Sequence, residues 1–356
     1  MSQLLDQPGV VRSGEELDVA RIDAFLKAQI GDLQGTPEIN QFAGGASNLT
    51  YMLHYPQRDL ILRRPPFGHR AKSAHDMLRE ANIMTALKPV YPYVPNVVAT
   101  CSDPAVMDCD FYVMERICGI IPRQNLPEGL NLSVEDTRKL CLSVIDKMIE
   151  LHQVDYKAAG LDSLGKGDGY VARQIDGWSD RFRKAKTDDV VDFESVMAWL
   201  KAKLPAKDVA TCIIHNDFRF DNVVLNPDNP FEVIGVLDWE MATLGDPLMD
   251  LGNTLAYWVQ ADDDPTFQMM RRQPTNAPGM LTRQEVIDYY GEKTGYKVEN
   301  FDFYTIYGLF RLAVIVQQIY YRYFHGQTKH KTYATFGFIT NYLEQRCKTL
   351  IEASSL

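Results

Sequence analysis

Apolar residues recur at helical spacing in several stretches of this sequence. The first stretch contains Leu17, Ile22, Phe25, Leu26 and Ile30, and it predicts an amphipathic helix ahead of the first strand. Capping boxes predict that further helices begin at Ser73, Ser133 and Thr282, because an acidic residue follows each of them at the third position. The apolar and aromatic segment at residues 301–324 is predicted to be a helix in the core.

Shorter apolar runs predict strands. An alternating strand follows the glycine pair Gly44-Gly45, and the next strand covers residues 60–63. The runs at residues 97–100 and 111–115 complete a small antiparallel sheet. The first third of the chain is therefore expected to be a sheet accompanied by helices.

A hairpin is predicted in the second half of the chain. Two β-branched runs flank the turn at residues 226–230, which is rich in Asn and Pro. Asn222 enters the first strand and Asp238 leaves the second, so antiparallel pairing places both side chains at one end. An amide oxygen and a carboxylate can share Mg²⁺, which keeps several waters and takes other ligands from a phosphate. The pattern predicts Asn222 and Asp238 as magnesium ligands.

A second carboxylate lies in the loop before this hairpin. His215, Asp217 and Asn222 follow the spacing His-x-Asp-x4-Asn. Asp217 is expected to accept the proton of an attacking hydroxyl while the metal holds the phosphates. Farther along, Asp246 is predicted to cap a helix whose first turn carries Asp250, and Asp250 is expected to contact the loop.

Composition limits the classes of partner. The 356 residues are 46% hydrophobic and 24% charged, with a net charge of −10 and a sequence pI near 5.2. These shares are those of an ordinary globular protein, and the negative charge argues against nucleic acid or an anionic membrane as the main partner. The six cysteines include no C-x-x-C pair, so neither a zinc site nor a disulfide framework is indicated. The oligomeric state is left open.

The sequence carries no signal for export or for a membrane span. The first residues lack the basic and apolar regions of a signal peptide. Arg311 and Gln317 interrupt the richest apolar stretch, so no run of about 18 apolar residues is present. The expected location is the cytoplasm.

The ordered motifs resemble the aminoglycoside phosphotransferase and choline kinase family, which has a protein-kinase-like fold. The resemblance rests on the residues at 215–219, 237–240 and 245–251. Leu-Arg-Arg-Pro-Pro at residues 62–66 is similar to kinase domains found alone or fused to acyl-CoA dehydrogenases. Protein kinases have Phe-Gly after the metal Asp, whereas this chain has Trp-Glu, so a small-molecule substrate is expected.

This resemblance implies an α+β fold with two lobes. The smaller lobe, residues 1–115, would contain the antiparallel sheet and bind the nucleotide. Residues 116–119 would form the hinge. The larger, mainly helical lobe, residues 120–356, would hold the catalytic loop and the acceptor pocket. In the resembling families the histidine of the loop, here His215, supports the loop by packing and hydrogen bonding.

The resemblance also implies nucleotide contacts in the smaller lobe. A turn with exposed backbone N–H groups and short polar side chains is expected to cradle the triphosphate. This turn comprises Gly44, Gly45, Ser47 and Asn48. Backbone groups at Glu115 and Ile117 are expected to bind the adenine base.

A cation of the smaller lobe is expected to contact the α- and β-phosphates. Arg63 stands where the family usually has a lysine, and Arg64, on the opposite face of the strand, is the alternative. Glu80 is expected to pair with this cation. Its other interpretation is a solvated carboxylate on a helix surface.

The implied reaction is transfer of the γ-phosphoryl group of ATP to a hydroxyl of a small molecule. The acceptor is left open between a hydroxyacyl-CoA or related hydroxy acid and an aminoglycoside-like compound. A basic stretch at residues 170–186 fits an anionic acceptor or a solvated helix face. Two other interpretations are a nucleotide-binding module without catalysis and a metal-dependent hydrolase that uses Asp217 and Asp238.

Overall fold

A computed structural model describes residues 5–42, 48–67 and 76–356. The strands in these ranges are β1 (Glu38–Gln41), β2 (Leu49–His54), β3 (Asp59–Arg64), β4 (Val97–Cys101), β5 (Phe111–Glu115), β6 (Cys212–Ile214), β7 (Val223–Leu225), β8 (Val233–Val236) and β9 (Thr243–Gly245). The α-helices are α1 (Val19–Gln29), α2 (Met77–Leu87), α3 (Val134–His152), α4 (Tyr170–Ala185), α5 (Glu194–Ala202), α6 (Pro247–Ala256), α7 (Pro265–Met269), α8 (Arg283–Thr294), α9 (Asp302–Phe324) and α10 (Phe336–Ala353). None of the described helices is long and apolar enough to cross a membrane.

Strands β1 to β5 form one antiparallel sheet in the order β1-β2-β3-β5-β4. Side chains alternate along β3, so Leu60 and Leu62 join one core cluster with Ile22 and Leu26 of α1. Ile61 belongs to the other cluster, which includes the buried residues of α2. The alternation therefore directs Arg63 to the side of the sheet that carries α2, as predicted.

The rest of the chain is mainly helical and contains two short antiparallel pairs, β6 with β9 and β7 with β8. Helices α6 and α9 lie close together because each has a glycine at the contact. A Cβ added to Gly252 would lie 2.4 Å from the carbonyl oxygen of Tyr304, and one added to Gly308 would lie 2.2 Å from that of Gly252. This close packing positions two side chains, Asp250 and Arg311, against the catalytic loop.

Most of the predicted helix starts are confirmed. Ser133 and Thr282 form capping boxes with Asp136 and Glu285, and Asp246 caps the helix that begins at Pro247. The prediction for α2 was wrong, because this helix begins at Met77. Its cap is Asp76, whose side chain accepts from the backbone N–H of Arg79 at 2.9 Å, and Ser73 lies outside the described residues.

Candidate active site

The hairpin of β7 and β8 brings Asn222 and Asp238 to one end, as predicted. Val223 pairs with Val236, and the N–H of Leu237 donates to the carbonyl of Asn222 at 2.8 Å. Asn222 and Asp238 line a single cleft with a volume of about 380 Å³. The two candidate metal ligands therefore face the same space.

Asp217 is fixed by the amide of Asn222. The Nδ2 of Asn222 donates to the backbone oxygen of Asp217 at 2.8 Å and to its Oδ2 at 3.1 Å. Because the nitrogen of this amide is bound to Asp217, its oxygen is the end that can turn to a cation. One side chain thus orders the candidate base and offers a ligand to the candidate metal.

Arg219 is a residue of the site that the sequence analysis missed. Its Nη2 lies 3.3 Å from Oδ2 of Asp217, its Nε lies 3.1 Å from Oδ1 of Asp221, and its Cζ is 4.7 Å from the ring centre of Tyr257. Burial acts to lower the pKa of this guanidinium, but Asp217 and Asp221 more than offset it and raise the pKa. The feature of the sequence that could have identified Arg219 was its position two residues after Asp217.

A buried ion pair joins the sheet to α2. Nη1 of Arg63 donates to Oε1 of Glu80 at 2.8 Å, and Nη2 donates to Oδ1 of Asp238 at 3.0 Å. Glu80 is only 1% exposed, so its interpretation as a solvated surface carboxylate was wrong. Arg63 lines the cleft, as do Arg116 and Arg123. Arg64 lies on the opposite face, with its Cζ 3.6 Å from the ring centre of Phe67.

The charges of this cluster shift its pKa values in definite directions. Burial acts to lower the pKa of Arg63, but Glu80 and Asp238 more than offset this effect and hold the pKa well above its ordinary value. Burial raises the pKa of Glu80 against the opposing charge of Arg63. Burial also acts to raise the pKa of Asp238, yet Arg63 keeps that pKa below its ordinary value. Asp238 is therefore ionised at neutral pH.

Asp238 has a left-handed backbone, with φ at 67°. This conformation is uncommon for a residue other than glycine. The loop that follows is held by Arg79 of α2, whose Nη2 donates to the carbonyl oxygen of Ala242 at 2.6 Å. The bend at Asp238 is thus maintained by contacts on its C-terminal side.

The opposite side of the catalytic loop is anchored by Asp250. This carboxylate accepts from the backbone N–H groups of His215 at 2.8 Å and Asn216 at 2.7 Å, and it lies 3.0 Å from Nε2 of His152. Arg311 donates to the carbonyl oxygen of Asn216 at 3.0 Å. Asn216 also has a left-handed backbone, with φ at 64°. The predicted contact of Asp250 with the loop is confirmed.

His215 supports the loop, as expected. Its Nδ1 accepts from the N–H of Asp217 at 3.2 Å, and its Nε2 lies 3.0 Å from the carbonyl oxygen of Leu237. Because Nδ1 accepts a hydrogen bond, Nε2 is the ring nitrogen that can donate to the carbonyl. His215 therefore connects the loop to Leu237, which lies between the end of β8 and Asp238.

The other predicted nucleotide contacts fall in three places. Glu115 and Ile117 line the cleft, beside Met114 and Gly119. Asn48 is buried, and its Nδ2 donates to Oε2 of Glu240 at 2.7 Å. The remaining predicted contacts lie outside the described residues; these are Gly44, Gly45 and Ser47.

Known proteins resemble this chain in sequence and in fold. The model of the Phosphotransferase enzyme family, APH, matches residues 38–285. Acyl-CoA dehydrogenase family member 10 of Mus musculus is 34% identical over 322 residues, which is 90% of this chain and 30% of that protein. The chain thus spans less than a third of the length of this relative.

The solved structures with a similar fold include two of different similarity to this chain. A protein of Ralstonia eutropha assigned as an aminoglycoside phosphotransferase has a TM-score of 0.81 and 26% identity, covering 96% of this chain and 100% of the other. An aminoglycoside phosphotransferase in ternary complex with AMP-PNP and hygromycin B has a TM-score of 0.56 and 14% identity, covering 94% and 98%. The two-lobed protein-kinase-like fold is therefore confirmed. The chain belongs to the phosphotransferase enzyme family, and it is a phosphotransferase with an alcohol group as acceptor.

Proposed function

We propose that this chain transfers the γ-phosphoryl group of ATP to a hydroxyl of a small acyl-CoA ester or a related hydroxy acid. The observation that carries the proposal is that Asn222, Asp238 and Arg63 line one cleft, and that Asp217 is hydrogen-bonded to Asn222 beside it. A protein with a similar fold binds AMP-PNP, which supports the choice of ATP. The names of the curated relatives support the choice of an acyl-CoA acceptor.

The donor atoms at the end of the hairpin fit a hard cation. Asp238 offers an ionised carboxylate and Asn222 an amide oxygen, and both line the cleft. Oxygen ligands in this small number suit Mg²⁺, which completes its shell with water and phosphate oxygens. When bound, Mg²⁺ would neutralise phosphate charge. Asn222 and Asp238 would hold it.

In this proposal the protein acts mainly by positioning, because phosphoryl transfer needs little covalent chemistry from it. Asp217 orients the acceptor hydroxyl and accepts its proton. Arg63, fixed by Glu80, contacts the phosphates. Arg219 lies beside Asp217 and adds positive charge near the transferred group.

The remaining nucleotide contacts are assigned in the same proposal. The residues at 44–48 cradle the triphosphate, and the backbone at Glu115 and Ile117 binds the base. Residues 1–115 make up the nucleotide-binding lobe, residues 116–119 the hinge and residues 120–356 the lobe that binds the acceptor. Both Glu115 and Ile117 line the same cleft as Asp238, which supports this division.

A transfer assay with γ-labelled ATP and Mg²⁺ tests the proposal. The acceptors are panels of hydroxyacyl-CoA esters, free hydroxy acids and aminoglycosides. We expect a labelled hydroxyacyl-CoA or hydroxy acid. Asp217→Asn should retain ATP binding and lose turnover by about a hundredfold or more, since general base catalysis typically contributes that much.

Asp228→Asn is the matched control. It makes the same chemical change in the exposed turn between the two strands of the hairpin, and it should leave turnover unaltered. A labelled aminoglycoside would contradict the acceptor class. ATP binding without transfer would favour a non-catalytic module, and ester cleavage without ATP would favour a metal-dependent hydrolase.

A further inference from the structure

The segment that precedes α1 forms part of the wall of the cleft. Asp6 and Gln7 line it together with Met114, Glu115 and Ile117. This segment precedes the residues that match the family model, which begin at residue 38. The cleft therefore contains a wall that the family motifs do not describe.

Two arginines fix Asp6 at this wall. Nη2 of Arg116 donates to the backbone oxygen of Asp6 at 2.7 Å, and Nη2 of Arg123 donates to its Oδ2 at 3.0 Å. Arg116 is itself held by Oδ2 of Asp59 at the start of β3, at 2.8 Å. Asp6 is therefore attached to the segment that directly follows β5.

The same segment is paired with the edge of the sheet. Gly9 and Gln41 exchange two backbone hydrogen bonds, of 2.8 and 2.9 Å, so they form an antiparallel bridge at the end of β1. The buried side chain of Gln41 accepts from the N–H of Arg12 at 2.9 Å and donates to Oε2 of Glu15 at 2.6 Å. Residues 5–12 thus span from the edge strand to the segment after β5.

We infer that residues 5–12 position the nucleotide, and that Asp6 and Gln7 contact its nucleoside half. The carboxylate of Asp6 is paired with Arg123 through Oδ2, and its other oxygen can accept hydrogen bonds from sugar hydroxyls. Gln7 offers both a donor and an acceptor, as an amide does. The candidate phosphate contact, Arg63, is bound to Asp238 and is not among the residues that hold Asp6. This inference rests on the proposed use of ATP.

Binding of ATP and of inorganic tripolyphosphate, measured by calorimetry with Mg²⁺, separates the two halves of the ligand. Gly9→Pro removes the N–H that donates to Gln41, and Asp6→Ala removes the carboxylate. Each variant should weaken ATP binding about five- to tenfold and change tripolyphosphate binding less than about twofold, since one or two hydrogen bonds to the nucleoside are lost. Gly9→Ala is the control, because it keeps the N–H and its Cβ would lie 4.0 Å from the carbonyl oxygen of Gln41.

Equal weakening of both ligands, or unchanged ATP binding in the variants, would overturn the inference. If Gly9→Pro does not fold, as judged by its unfolding temperature, Asp6→Ala decides. Amide exchange gives a second test on the native chain, because ATP should slow exchange in residues 5–12 and tripolyphosphate should not. A native chain that binds no ATP would contradict the proposed function itself, whereas native binding without this protection would contradict only the inference.

Discussion

Two carboxylates flank the catalytic loop and are used in opposite ways. Asp250 is fully buried and surrounded by two backbone N–H groups and the ring of His152. Asp238 keeps 33% of its side-chain surface exposed, accepts from Arg63 and lines the cleft. A carboxylate surrounded by protein donors fixes the backbone, whereas one with a free surface toward a cleft is available to a ligand.

The largest effect should come from removing the buried carboxylate. Asp250→Ala leaves two backbone N–H groups and His152 without their acceptor, so we expect the free energy of unfolding to fall by about 3–5 kcal/mol. Urea-induced unfolding measures this loss. Asp228→Ala, in an exposed turn, is the control and should change stability little. A loss of stability below about 1 kcal/mol for Asp250→Ala would contradict the structural role of Asp250.

Substitution of Asp238 should lower turnover strongly and stability only slightly. Asp238→Asn keeps the shape of the side chain but removes the charge offered to the cation, so turnover should fall about a hundredfold, which corresponds to about 2.7 kcal/mol in the barrier. Stability should change by less than about 1 kcal/mol because the side chain is partly exposed. Steady-state kinetics and urea unfolding of the same preparation provide both values. A loss of stability as large as that of Asp250→Ala would show that the two carboxylates are not distinct.

Arg63, the cation beside Asp238, provides a further test of the comparison. Arg63 bridges Glu80 and Asp238 with two nitrogens, and a lysine offers one compact charge instead. Arg63→Lys should therefore weaken ATP binding about tenfold, or about 1.4 kcal/mol. Arg64→Lys makes the same change on the other face of β3 and should leave ATP binding unaltered. Equal effects of the two substitutions would argue against Arg63 as the phosphate contact.

The smallest effect concerns acid stability. Burial acts to raise the pKa of Asp250, but its bond to His152 and the backbone donors hold the pKa below its ordinary value. A lowered folded pKa gives stability that is present above the unfolded pKa of about 3.9 and is lost as pH falls through the folded pKa. The unfolding free energy of Asp250→Asn should therefore fall less steeply than that of the native chain below about pH 4. Urea unfolding at a series of pH values checks this slope, and identical slopes would contradict it.

The sequence predicted those parts of the site in which neighbouring residues determine the geometry. The turn at residues 226–230 fixes the hairpin, and the hairpin alone brings Asn222 and Asp238 to one end. The pair of Arg63 and Glu80 was expected from the family resemblance, and its distance of 2.8 Å confirms the contact. The caps at Ser133, Asp246 and Thr282 are also local.

Contacts between distant segments could not be predicted in this way. Strands β6 and β9 have three residues each, so they carry no periodic pattern and depend on their pairing. Asp6 is held at the cleft by hydrogen bonds from Arg116 and Arg123, which lie more than 100 residues away in the chain, and Gln7 lines the cleft beside it. The start of α2 was misplaced because Ser73 and Asp76 are both good cap residues, and sequence spacing cannot choose between them.

The left-handed backbone at Asp238 has a consequence for laboratory evolution of this enzyme. Glycine adopts such a conformation without the Cβ clash, which costs other residues about 1 kcal/mol. In a selection for heat resistance alone, the relief of the backbone in Asp238→Gly would offset part of the loss of the hydrogen bond from Arg63, although the carboxylate is gone. Libraries of this chain need to be scored for turnover and heat resistance together, because heat resistance alone does not select against inactive variants of this kind.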